Sequence, residues 1–73
     1  MQTIKTGNAV EWRWGRSKAE GDVEQRFTRD VTRTIKGKTI KRKADRQEPA
    51  FLIRQKNGAR VLKSQSEVEK TDE

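Results

Sequence analysis

The dipeptide Asn57-Gly58 sits between two apolar runs, Ala50-Phe51-Leu52-Ile53 and Val61-Leu62. Both of its residues tolerate positive φ, so between apolar runs it is the strongest short-range signal for a β-hairpin. A two-residue turn there sets Ile53 opposite Leu62. Pro49 has no N–H to give to a ladder and marks where the first of these strands begins. After the second strand, Ser64-Gln65-Ser66-Glu67-Val68 reads as one short turn of helix, with Val68 packing back onto the core.

The same period of two recurs upstream. Val10, Trp12 and Trp14 alternate with Ala9, Glu11 and Arg13, and a second alternating run covers 19–27. A four-residue loop at Gly15-Arg16-Ser17-Lys18 sets Trp14 opposite Ala19, Trp12 opposite Gly21, Val10 opposite Val23 and Arg13 opposite Glu20. In that register Gly21 makes room for an indole and lets the strand bend. Residues 31–43 read as a further hairpin, with Val31, Ile35 and Ile40 as apolar points and Gly37 at the turn. A four-residue loop at 36–39 pairs Ile35 with Ile40 and Arg33 with Arg42. Residues 44–48 form a polar connector.

About five strands with tight turns and no long helix, in 73 residues, imply an all-β domain: one small, strongly bent antiparallel barrel. Leu, Ile, Val and Phe number only 13 of 73, a level at which disorder is an alternative. The regular alternation argues for a fold instead, since a sheet buries only one face of each strand. The expected boundaries are a flexible N-terminus at 1–6, a barrel at 7–69 and a disordered tail at 70–73.

There is no Cys and no His. Disulfides and thiolate metal sites are excluded, and so is the commonest general base. Residues 1–5 carry no apolar run of the secretory kind, and no segment approaches the ~18 apolar residues of a membrane helix. The expectation is a monomeric cytoplasmic protein with no cofactor, no metal and no enzymatic activity.

Charge is the other strong signal. Residues 29–46 hold 8 Lys/Arg against 2 Asp, whereas the other 55 residues hold 10 Lys/Arg against 9 Asp/Glu. Nearly all of the net +7 is therefore one patch, and a concentrated basic patch is an electrostatic footprint for polyanions. Arg29, Arg33, Lys36, Lys38, Lys41, Arg42 and Lys43 are the candidate phosphate contacts, and Thr32, Thr34 and Thr39 add hydroxyls. The competing reading is a solvated hairpin whose lysines protect strand edges from aggregation.

Trp12 and Trp14 are candidates for stacking on bases beside such a patch. Trp12, in line with Val10 and Val23, reads first as core, and Trp14 sits at a strand end where an indole can be half exposed. Phe27 and Phe51 read as core. Glu20, Asp22 and Glu24 share one strand face and suggest a hard cation or acid–base work, against the plainer reading of an outward face paired with basic neighbours.

An ordered set of motifs resembles a known family. Gly7-Asn8-Ala9-Val10-Glu11-Trp12, Gly15, Gly21-Asp22-Val23, Glu48-Pro49-Ala50-Phe51-Leu52-Ile53, Gly58 and Leu62-Lys63-Ser64-Gln65-Ser66-Glu67-Val68 look like the hypervirulence-associated-protein Tudor domain family, over about residues 7–69. The resemblance implies an SH3-like, Tudor-type barrel and brings no catalytic residues. Tudor domains elsewhere often hold methylated Lys or Arg in an aromatic cage; this chain has two Trp, two Phe and no Tyr. The leading expectation is a non-enzymatic module that binds the nucleic-acid backbone through the 29–46 hairpin. The alternative is a protein-interaction module that takes a peptide or acidic partner at an edge strand or the Trp14 rim.

Overall fold

The computed structural model describes residues 4–71. Seven strands follow in order: β1 (Ala9–Trp14), β2 (Ser17–Phe27), β3 (Val31–Ile35), β4 (Lys38–Arg42), β5 (Ala50–Gln55), β6 (Arg60–Ser64) and β7 (Glu69–Lys70). A 3₁₀ turn, Gln65–Glu67, joins β6 to β7, and Val68 after it is buried. Five strands form one antiparallel sheet in the order β6-β5-β2-β1-β7, and β3 and β4 pair only with each other. The expected closed barrel is therefore an open sheet with a separate two-stranded ribbon. Closure needs a ladder between the β6 edge and the β7 edge, and β7 contributes only two residues, both spent on Val10 and Glu11. Among the described residues no helix is long and apolar enough to cross a membrane.

One irregularity in β2 organises the core. Val23 lies opposite Ile53, but Gln25 lies opposite Leu52, so the register shifts at Glu24. One extra residue in a strand sends every later side chain to the other face. Val23 accordingly joins Ile4, Val10, Trp12, Phe51, Ile53 and Val68 in one cluster. Phe27 falls on the opposite side, packed with Ile35, Ile40 and Ala44 against Val31, Ala50, Leu52 and Leu62. β5 is buried on both faces from Ala50 to Ile53, and full burial of each of its large side chains, Phe51, Leu52 and Ile53, contributes roughly 1.5–3 kcal/mol.

All three hairpins turn more tightly, or differently, than their sequences suggest. The first closes on Gly15-Arg16, with Trp14 opposite Ser17, Trp12 opposite Ala19 and Val10 opposite Gly21. Gly15 has φ +61°, the conformation that a II′ turn asks of its first central residue. Arg13 faces Lys18 and Glu11 faces Glu20, so the expected Arg13–Glu20 pair is absent. The second hairpin closes on Lys36-Gly37, both with positive φ (52° and 79°), the I′ geometry that follows strand twist. Ile35 faces Lys38, Arg33 faces Ile40 and Val31 faces Arg42, so Arg33 and Arg42 are not cross-strand partners. The third uses a three-residue loop, 56–58. Gln55 N–H donates to Ala59 O at 2.7 Å and Gly58 N–H to Gln55 O at 2.9 Å, and Gly58 takes φ +89°. Ile53 then faces Val61 and Leu62 faces Leu52.

Gly21 is crowded by β5, not by an indole. A Cβ built there would lie 2.6 Å from both the Arg54 carbonyl oxygen and Ile53 Cγ2. At the ends, the packed unit reaches beyond residues 7–69. Ile4 is fully buried in the first cluster, Lys70 pairs with Val10, and Thr71 N–H donates to Ala9 O at 3.0 Å. Residues 1–3 and 72–73, parts of the expected flexible ends, lie outside the described residues.

Candidate nucleic-acid interface

The basic segment folds as the β3–β4 ribbon because its residues suit a pleated, half-buried surface. Val31, Thr32, Thr34, Ile35, Thr39 and Ile40 are all β-branched. Alternation gives the ribbon two unlike faces. Val31, Arg33, Ile35, Ile40 and Arg42 form the side turned to the second cluster, each at least partly buried. Thr32, Thr34, Thr39 and Lys41 form the outer side and are exposed. Lys36 and Lys38 stand exposed at the tip, and Arg29 and Lys43 stand exposed at the base.

The seven cations singled out from sequence therefore divide into two groups. Two are tied down. The Arg33 guanidinium carbon lies 4.8 Å from the centroid of the Phe27 ring, and its Nη1 donates to Thr32 O at 3.0 Å. Arg42 Nε lies 3.4 Å from Glu67 Oε1, and its Nη1 donates to Lys41 O at 3.2 Å. Arg42 Nε is buried without a hydrogen-bond acceptor, so its contact with Glu67 is an ion pair and not a formed hydrogen bond. The other five, Arg29, Lys36, Lys38, Lys41 and Lys43, have no acidic partner among the described residues. Asp30 is turned to structure: its Oδ1 accepts from Ala44 N–H at 3.2 Å and closes the base of the ribbon. Beside it runs an open groove of about 440 Å³ lined by Asp30, Val31, Thr32, Lys41, Arg42 and Lys43.

The indoles are not part of this surface. Trp12 is buried in the first cluster, and Trp14 is 71% exposed at the end of β1. Trp12 lies in the cluster opposite to the one that the ribbon joins, and Trp14 shares the face of Trp12 by alternation along β1, so a stacking platform beside the basic hairpin is not assembled. What adjoins Trp12 is a second cleft of about 330 Å³, between β1 and the 3₁₀ turn, with Glu11, Arg13, Glu67 and Glu69 on its walls.

The three acids of β2 do not converge either. Glu20 and Asp22 are exposed, while Glu24, in the bulge, reaches Arg60 across β5. Arg60 Nε donates to Glu24 Oε1 at 2.6 Å and Nη2 to Oε2 at 3.3 Å. That two-point hydrogen bond holds the Glu24 carboxyl below the usual carboxylate range and raises Arg60 above its own. Among the described residues no group of three His, Cys, Asp or Glu is gathered to hold a metal. Sequence reasoning missed Glu67 and Phe27 as the partners of Arg42 and Arg33. They stand 25 and 6 residues away, and nothing local marks either contact.

An antiparallel β-domain of this size, with a basic two-stranded ribbon packed against a five-stranded sheet, belongs to the class of small β-modules. More specifically, the chain belongs to the family described as hypervirulence associated proteins TUDOR domain, whose model matches residues 7–68. No curated protein and no solved structure matches the chain. Membership in a Tudor family suggests a small binding module.

Proposed function

We propose that this domain is a non-enzymatic binding module that holds nucleic acid by its phosphate backbone through residues 29–46. The observation that carries the reading is the set of five unpartnered cations, Arg29, Lys36, Lys38, Lys41 and Lys43, on an exposed ribbon among threonine hydroxyls. Cations without acidic neighbours release condensed counterions when they meet phosphates, and this drives sequence-independent affinity. Lysines and threonines position a duplex or strand without reading its bases. Chemical-shift mapping with a random-sequence oligonucleotide tests it. Shifts are expected along 29–46; an unchanged spectrum at low salt overturns the reading.

A second reading rests on a different observation. Trp14 is exposed, and β7 pairs with β1 only at Val10 and Glu11, which leaves the outer edge of Trp12–Trp14 open to an added strand from a partner peptide. In the same mapping, shifts confined to 9–18 on adding a peptide mark this use.

A further inference from the structure

Resting on the nucleic-acid reading, we infer that the ligand of the β3–β4 ribbon is double-stranded, B-form DNA and not a single strand or an RNA duplex. The first support is what the surface lacks. Binding of single strands relies on aromatic side chains on which successive bases stack. The chain has four aromatics. Phe27 lies beneath Arg33, Phe51 is fully buried, Trp12 is buried in the cluster on the other side of the sheet, and Trp14, two residues further along β1, shares the face of Trp12 by strand alternation. Unstacked bases find no platform on this side.

The second support is shape. Among the described residues β3 and β4 form a two-stranded ribbon with no third strand on either edge, and the major groove of B-DNA admits a ribbon of that kind. Its outer face carries Thr32, Thr34, Thr39 and Lys41, which are short apart from one lysine, so the backbone can lie close to the groove floor. The deep, narrow major groove of A-form RNA does not admit it. The third support is charge spacing. Five residues per strand span roughly 17 Å. A duplex presents about ten phosphate charges over that length, enough for the tip pair Lys36 and Lys38, the base pair Arg29 and Lys43, and Lys41 between them to meet phosphates on both sides of the groove.

The test is a fluorescence-anisotropy titration of the full chain with a 20-base-pair DNA duplex, either of its single strands, and an RNA duplex of the same sequence, at one low salt concentration. The duplex DNA is expected to bind at least tenfold more tightly than the other two. T34E and T39E place a carboxylate on the outer face, where the side chain is exposed, and each should weaken duplex DNA binding at least tenfold with an unchanged circular-dichroism spectrum. If a single strand or duplex RNA binds as tightly as duplex DNA, the inference fails and the proposed function stands. Unaltered affinity in folded T34E and T39E also overturns the inference. If none of the three ligands binds, the proposed function fails with it.

Discussion

Arg33 and Phe27 are joined face to charge: the guanidinium carbon sits 4.8 Å from the ring centroid. The β2 bulge at Glu24 makes this contact, because it turns Phe27 to the side that the ribbon covers. Arg33 is thus a clasp between ribbon and sheet. Arg33→Ala should lower stability by about 0.5–1 kcal/mol, the usual range of an exposed cation–π pair, measured as a shift of the urea midpoint. Its effect on affinity for nucleic acid should be smaller than that of Lys38→Gln or Lys41→Gln. An equal or larger effect means that Arg33 contacts the ligand.

Gly21 is fixed by a close approach of backbone. The site has no space for a methyl group, since the nearest obstacles are the Arg54 carbonyl and the Ile53 side chain at 2.6 Å, and a carbonyl in a ladder yields little. Gly21→Ala should destabilise by about 1–3 kcal/mol, the range of an overpacked site. Thermal unfolding measures it, and a variant as stable as the parent would show that β2 and β5 separate freely there.

Lys36 is the one non-glycine residue with positive φ among the described residues, at 52°. Such a conformation costs an ordinary L-residue about 1–2 kcal/mol, and Asn tolerates it better. Lys36→Asn, which writes the preferred Asn-Gly turn, should raise stability by about 0.5–1 kcal/mol. Because it removes a tip cation, it should also weaken nucleic-acid binding. Denaturation and titration of the same variant check both directions.

The Glu24–Arg60 pair sets an acid dependence. The folded-state pKa of Glu24 is lowered from 4.5, chiefly by the hydrogen bond from Arg60. A depressed carboxyl stabilises the fold above its unfolded pKa, and that contribution is lost as pH falls through the folded value. The difference in urea midpoint between the parent chain and Glu24→Gln should therefore be present at neutral pH and shrink below about pH 4. A difference that stays constant to acid pH would show that the pair is broken in solution. Arg60 is raised from an already high value, so its own titration leaves stability unchanged over that range.

Much of the fold was legible in the sequence. The strands of the three hairpins, the glycines at their turns, and the burial of Val10, Trp12, Val23, Phe51 and Val68 follow from the period of two and the placing of Gly and Pro, whereas β7 lies where a tail was expected. The registers did not follow, and the reasons differ. In the first two hairpins the turn is two residues shorter than expected. An even slip keeps every side chain on its face, so the apolar pattern fits both registers equally well. In the third the slip is one residue, and β5 is buried on both sides, so its alternation has no face to report. The bulge at Glu24 is hidden because the spacing from Val23 to Phe27 looks like plain alternation. For the site, charge density located the ribbon, but only tertiary contacts separate Arg33 and Arg42, held by Phe27 and Glu67, from the five free cations. The link from Trp14 to the basic patch failed because it depends on which sheet face the ribbon covers.

The most direct measurement of the central claim is the salt dependence of duplex binding by the parent chain and by Lys36→Gln, Lys38→Gln, Lys41→Gln and Lys43→Gln. With up to five cations on phosphates, the slope of log K against log salt should approach about −4.5, at roughly 0.9 per contact. Each substitution should weaken binding about equally across sequences and make the slope less steep by about 1. Absence of binding at low salt, or a slope that none of the four substitutions changes, would contradict the account.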